Sequence, residues 1–212
     1  MDTQLSGKTV LVTGATRGIG FAIAKRFLNN GANVIGTGMS PSGKVPDGCQ
    51  FYAIDFSDSG AIKKFSQEVA GMEIDILVNN AGINKIGPFV EIDLADFEQI
   101  QQINVTAPFL LCRAVLDHMK EKRWGRIVNI STGISMMQRV EASPYGVSKA
   151  AIESETMIWA QDLAGTGVTV NSLQPGGAID TPFFHEAGRK AMAAQGRKPQ
   201  LPSILAPTIV WL

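Results

Sequence analysis

Six short runs of β-prone apolar residues are spaced along the chain. They are Thr9–Thr13 (TVLVT), Asn33–Thr37 (NVIGT), Gln50–Asp55 (QFYAID), Asp75–Asn79 (DILVN), Arg126–Ile130 (RIVNI) and Val168–Leu173 (VTVNSL). Several are continuous rather than alternating, the pattern of strands covered by helices on both faces. Between them apolar positions recur at helical spacing over Ile19–Asn30, Ser59–Ala70, Leu94–Lys122 and Tyr145–Ala164, with Gly31 closing the first. Repeated strand–helix alternation predicts an α/β fold: a doubly wound parallel β-sheet with helices on both faces. Pro108 lies four residues after Asn104 and has no N–H, so the Asn104 carbonyl loses its helical partner and the helix is expected to bend.

The sequence carries no internal repeat or linker, so residues 1–212 read as one domain. Pro182–Pro202, rich in Gly, Pro, Ala and basic residues, reads as a mobile insertion that borders the substrate. Ala206–Leu212 (APTIVWL) opens an apolar helical pattern and stops within it, and a further C-terminal strand is expected to be missing.

Composition narrows the function more than the fold. The 212 residues are 45% apolar and 18% charged, with zero formal net charge. That balance shows no electrostatic footprint for nucleic acid or an anionic membrane. No apolar run approaches a membrane span and no signal region opens the chain, so a cytoplasmic location is expected. Cys49 and Cys112 form neither a disulfide framework nor a metal spacing. His118 and His185 have no ligand partners at useful spacing, so no metal is expected.

Between the first strand and first helix lies TGATRGIG, Thr13 to Gly20. Gly14, Gly18 and Gly20 allow a sharp turn and close approach of backbone to a pyrophosphate. The helix opening at Ile19 offers free N–H groups and the positive end of its dipole. The placement points to dinucleotide binding, with Thr16 and Arg17 in the same loop. A carboxylate after the second strand would bind the adenosine ribose and repel a 2′-phosphate. Here the stretch is GTGMSPSGK, without an acid. Arg17, Thr37, Ser40 and Lys44 instead favour NADP(H), with NAD(H) the alternative. Asp55, followed by Phe56, ends the third strand and can accept from an adenine amino group. Asn80, Ala81 and Gly82 follow the fourth, where small residues permit close approach and Asn80 can bond backbone or ribose.

In SPYGVSKA, Tyr145 and Lys149 are four residues apart, on one face of a helix. An ammonium beside a phenol would lower the phenol pKa and make a proton donor for a carbonyl. With TGATRGIG, NNAG and YGVSK in this order, the sequence resembles the short-chain dehydrogenase/reductase family, a Rossmann-type fold, along nearly its whole length. The resemblance implies that Tyr145 is the catalytic acid/base and that Lys149 binds the nicotinamide ribose and tunes the tyrosine. It implies that Asn104 anchors a water-borne proton relay, and that Pro175, Gly176, Ile179 and Thr181 hold the nicotinamide carboxamide. The PGGAIDT stretch is one residue longer than the common form. The family's substrate-orienting serine falls on Thr132, with Ser131 the alternative if the register differs by one.

The expected function is hydride transfer between NADP(H) and a carbonyl/alcohol pair, on a 3-oxoacyl-like or sugar/polyol-like small molecule. Met136, Met137, Phe183, Phe184 and Met192 are candidate pocket residues. A different class, a nucleotide-sensing or scaffold protein with weak or lost catalysis, is the alternative. Leu110, Leu111, Val115, Met157, Ile158 and Trp159 cannot all face one sheet. With the resemblance, this implies a homodimer or homotetramer through the two long helices.

Overall fold

A computed structural model describes residues 5–184 and 186–210. His185 and the ends of the two terminal patterns (residues 1–4, Trp211 and Leu212) lie outside the described residues. Six parallel strands form one sheet: β1 (Thr9–Val12), β2 (Asn33–Gly38), β3 (Gln50–Ala53), β4 (Ile76–Asn79), β5 (Gly125–Ile130) and β6 (Val168–Leu173). Their spatial order is β3-β2-β1-β4-β5-β6. The expected doubly wound sheet is thus present, and each strand falls within a residue or two of its expected bounds.

The continuous apolar runs are explained by period-two alternation on a sheet buried on both sides. Leu11, Ile35, Leu77, Ile127 and Val170 enter one core with Ile62, Phe65, Leu111 and Val115. Val10, Val12, Val34, Ile76, Val78 and Val128 enter the other with Ile23, Ala24 and Phe27. The first core lies under α2 (Ser59–Ala70) and the helix over residues 107–121; the second lies under α1 (Gly18–Asn29). Asp58 caps α2, its carboxylate accepting from the N–H groups of Gly60 and Ala61.

The long third helix is interrupted where Pro108 demands it. It runs as α3 (Leu94–Gln101), a π-helical turn (Gln102–Thr106) and α4 (Ala107–Glu121). The Ala107 N–H reaches back five residues to the Gln102 carbonyl. A proline cannot supply the i→i−4 bond, and the wider turn absorbs the loss. The expected bend is therefore a π turn, and it carries Asn104.

Shorter elements escaped the periodicity because they are too short to show it. They are a 3₁₀ turn at Phe89–Glu91, α5 (Ile134–Met137), a 3₁₀ turn at Pro202–Leu205 and α8 (Ala206–Ile209). The stretch read as irregular holds a nine-residue helix, α7 (Glu186–Ala194). Arg189 on α7 donates to the Thr181 carbonyl (2.7 Å) and the Phe184 carbonyl (3.2 Å) and pairs with Asp180. Ile179 also bridges to Gln200, closing the segment at its base.

The last long helix, α6 (Ser143–Asp162), is held to the sheet by a buried polar chain. Asn79 on β4 donates to Asn129 on β5 (2.8 Å), Asn129 donates to the Thr156 hydroxyl on α6 (2.8 Å), and Thr156 donates to the Ile152 carbonyl (2.6 Å). Asn129 is fully buried and Thr156 is 5% exposed. Breaking such a chain leaves a stranded polar group at a cost of about 1–3 kcal/mol. Among the described residues no helix is long and apolar enough to cross a membrane.

Candidate active site

The strand order reverses between β1 and β4, which opens a crevice at the carboxyl ends of the sheet. The turn after β1 enters it. Gly14 and Gly18 have φ of +67° and +57°, where a side chain is strained. A Cβ on Gly20 would collide with the Gly14 carbonyl and the Asn80 amide. Thr13, which the sequence reading left as a strand end, ties this turn to β4. Its hydroxyl accepts from the N–H groups of Asn80 (2.9 Å) and Ala81 (3.0 Å). Asn80 spends its amide on the backbone, donating to the carbonyls of Thr13 (2.9 Å) and Gly14 (3.1 Å). Thr37 is fully buried and braces the turn from β2, accepting from the Gly14 N–H at 3.2 Å.

Arg17 stands exposed at the N-cap of α1, and Gly18 rather than Ile19 opens the helix. The loop after β2 folds back on the glycine turn. It makes a tight turn through the Gly43 N–H and Ser40 carbonyl (2.9 Å), and a Cβ on Gly43 would crowd Thr16. Residues 39–44, which leave this end of β2, include no carboxylate. Asp55 is exposed and accepts from the Ser57 N–H (2.9 Å) and hydroxyl (2.7 Å). The Phe56 side chain belongs to the core beside Phe65, so only its backbone is left for the crevice.

Asn104 lies at the centre of the second half of the site. It is 2% exposed. Its Oδ1 accepts from the Ile83 N–H (3.0 Å), while its Nδ2 donates to the Ile83 carbonyl (3.0 Å) and the Ser148 hydroxyl (2.9 Å). Ser148 donates in turn to the Tyr145 carbonyl (2.7 Å). The π turn, the loop after β4 and α6 thus meet at one amide, with Gly82 leaving room beside Oδ1. Ser148 was not singled out from sequence. Its signal was a hydroxyl inside YGVSK on the same face as its flanking tyrosine and lysine.

Tyr145 and Lys149 share one face of α6, both 7% exposed. Lys149 Nζ donates to the Ile130 carbonyl at 2.7 Å and stands 5.8 Å from the Tyr145 ring centre. The Thr132 side chain lies beside the Tyr145 phenol. Ser131 points elsewhere: it is 3% exposed and its hydroxyl is buried without a hydrogen-bond partner among the described residues. The geometry therefore sets Thr132, not Ser131, beside the tyrosine.

The expectation of a lowered phenol pKa is overturned. Burial pushes Tyr145 up to about 12, against the opposing hydrogen bond from Thr132. The lysine carries the downward shift: burial lowers Lys149 to about 8, with the Glu153 carboxylate acting the other way. Low-dielectric surroundings disfavour both charged forms, and at this separation they outweigh mutual attraction.

Phe183 packs on Tyr145 with ring centres 5.6 Å apart. Met136 and Met137 lie on α5, whose Met137 carbonyl fills the space a side chain on Gly146 would need. Phe184 instead sits under the Arg189 guanidinium, and Met192 is on α7. Pro175 and exposed Gly176 lead from β6 to buried Ile179 and Thr181, and Thr181 packs on Gly18 of the glycine turn. Among the described residues no three His, Cys, Asp or Glu side chains group to hold a metal ion.

A family model for short chain dehydrogenases matches residues 8–191. The 3-oxoacyl-(acyl-carrier-protein) reductase of Vibrio cholerae is 37% identical over 183 residues, covering 82% of this chain and 74% of that protein. The D-beta-hydroxybutyrate dehydrogenase of Cupriavidus necator is 33% identical over 211 residues, covering 94% and 80%. The crystal structure of a blue fluorescent protein from a metagenomic library, in complex with NADPH, superposes with a TM-score of 0.85 at 31% identity, covering 98% of this chain and 91% of that one.

The lowered Lys149 pKa carries a stability signature. Its folded value of about 8 lies below the ordinary 10.5. Above pH 10.5 the side chain is neutral folded and unfolded; below 8 it is charged in both and the burial penalty is complete. Between these values the unfolded chain binds more protons, so this group makes stability rise with pH, by roughly 3 kcal/mol over the whole window. Tyr145, shifted upward, opposes this only above its ordinary value of 10. Denaturant unfolding of the natural chain and Lys149→Met should show the natural chain gaining on the variant between pH 8 and 10. A pH-independent difference would contradict the burial argument.

Proposed function

The chain belongs to the short-chain dehydrogenase family, and from that membership we propose that it is an NADP(H)-dependent enzyme interconverting a ketone or aldehyde with its alcohol. It is an oxidoreductase acting on CH–OH and keto groups. The observation that carries the finer reading is the buried Tyr145 phenol, set beside Thr132 and one helical turn from buried Lys149.

The residues around the crevice fit a dinucleotide. Gly14, Gly18 and Gly20 leave the backbone bare at the start of α1, Arg17 is free to meet a 2′-phosphate, and Thr181 borders the same turn. When bound, the nicotinamide supplies or accepts the hydride. Tyr145 gives its proton to the substrate oxygen in reduction and takes it back in oxidation. A phenol pushed up to about 12 stays protonated at neutral pH, which suits the acid role. Thr132 donates to the same oxygen and orients it. Lys149 presents an ammonium below about pH 8, and Asn104 fixes the helix that carries both residues. Names of the relatives support a 3-oxoacyl, 3-hydroxy acid or polyol type of substrate.

The two long helices also support self-assembly. Leu111 and Val115 are buried, whereas Val147, Met157 and Ile158 are 50%, 65% and 51% exposed on α6. Phe109 and Trp159 join α4 to α6 on the outer surface, 6.3 Å apart. A second copy covering this face would form a homodimer, or a homotetramer through a further contact.

Three measurements test these readings. Tyr145→Phe should lower NADPH-dependent ketone reduction by about 10²–10⁴-fold with little change in NADPH affinity. In the same assay, run with 3-oxoacyl thioesters and polyol-derived ketones, Thr132→Val should cost about 2–3 kcal/mol of barrier and Ser131→Ala far less. The reverse order for that pair would hand the substrate oxygen to Ser131. Calorimetric titration should find NADPH bound more tightly than NADH, with Arg17→Ala weakening NADPH selectively; equal affinities in the natural chain would refute the 2′-phosphate site. Light scattering should report at least a dimer at micromolar concentration, and a monomer would rule the interface out.

A further inference from the structure

Tyr145, Lys149 and Glu153 follow one another at four-residue intervals along α6, so the same face carries a phenol, an ammonium and a carboxylate. The first two belong to the chemistry proposed above. Glu153 does not, yet its carboxylate is fully engaged. One oxygen accepts from the Ser172 hydroxyl at 2.9 Å, and the other from the Gln174 amide at 3.1 Å. Ser172 lies near the end of β6, and Gln174 immediately precedes Pro175, where the segment leading to Ile179 and Thr181 begins.

We propose that Glu153 is a positioning residue of this enzyme: one carboxylate pins the exit of β6 to α6 and supplies the negative charge facing buried Lys149. The proposal rests on the reading of Tyr145 and Lys149 as the acid–base pair. Two neutral donors hold the carboxylate in place, so its charge is fixed without being cancelled by a salt bridge. Burial lowers the lysine pKa, and Glu153 is the carboxylate that acts against it.

Among the described residues, Glu153 is the charged group that acts on Lys149. From β5 the lysine receives the Ile130 carbonyl, which is neutral. On β6 the contacts of this face are Ser172 and Gln174, which are not ionisable. α5 (Ile134–Met137) has no ionisable side chain. α3 brings Asp96, paired with Lys85, and exposed Glu98. Beyond β6, Asp180 and Arg189 pair with each other. On α6 itself the other ionisable residues are Tyr145, Glu155 and Asp162, and neither of the two acids has the four-residue spacing from Lys149 that Glu153 has.

The test separates charge from hydrogen bonding, and separates both from activity. Lysine ¹³Cε resonances would be titrated by NMR in the natural chain, Glu153→Gln, Glu153→Asp and Ser172→Ala, with Lys149→Arg for assignment. Glu153→Gln keeps an acceptor but loses the charge, and the Lys149 midpoint should fall by roughly one pH unit. Glu153→Asp and Ser172→Ala keep the charge and should leave it near the natural value. In parallel, the alkaline limb of the reduction pH profile should move with the Lys149 midpoint in Glu153→Gln and stay in place in Ser172→Ala. A Lys149 midpoint unmoved by Glu153→Gln, in a variant whose circular dichroism matches the natural chain, overturns the proposal. A midpoint that falls while the rate profile stays fixed supports the coupling and overturns the acid–base role of Lys149 on which it was built.

Discussion

The site hangs on the side chain of Asn104. Its amide satisfies both backbone groups of Ile83 and reaches Ser148, so three segments distant in sequence share one buried hydrogen-bond centre. A buried amide must find partners for its donors and acceptor, and here those partners are the loop after β4 and the helix bearing Tyr145 and Lys149. Pro108 makes this geometry available. By denying the helix one hydrogen bond it forces the π turn at Gln102–Thr106, which projects Asn104 into the crevice. Without that turn, the loop after β4 and the tyrosine helix would lose the one amide that bonds to both.

A second layer of fixed polarity lies beneath. Thr13 and Asn80 lock β1 to β4 at the crevice floor, and Asn79, Asn129 and Thr156 lock β4 and β5 to α6. Both sets sit at strand ends, where ladder bonding stops and side chains must take over the backbone's partners. The floor of the crevice is therefore rigid, and the segment beyond β6 lies over it on fewer ties.

Much of this was legible in the sequence, for reasons that can be stated. The strands announced themselves because a sheet buried on both faces leaves long apolar runs such as TVLVT and DILVN. The glycine turn was legible because Gly14, Gly18 and Gly20 each answer a backbone or space requirement that no other residue meets. Thr132 was reached by counting from Tyr145, and its side chain lies beside that phenol. Other features were not readable. The phenol's direction of shift depends on how deeply it is buried, which spacing on a helix does not reveal. Thr13, Ser148 and Glu153 matter through partners between 19 and 68 positions away, or through a backbone carbonyl within their own helix. α7 was hidden because its glycine and charged residues obscure a nine-residue periodicity.

The way α7 is fastened has an evolutionary meaning. Its guanidinium anchor, Arg189, gathers Asp180, Thr181 and Phe184, and the Ile179–Gln200 bridge closes the segment below it. The helix behaves as a cassette clipped to the rim, with its outer residues outside both cores. Substitutions there escape the stability threshold that constrains a packed interior. Drift on α7 can therefore proceed while the sheet, the glycine turn and the tyrosine helix stay under selection for folding, a separation that lets one scaffold vary at its rim without being rebuilt.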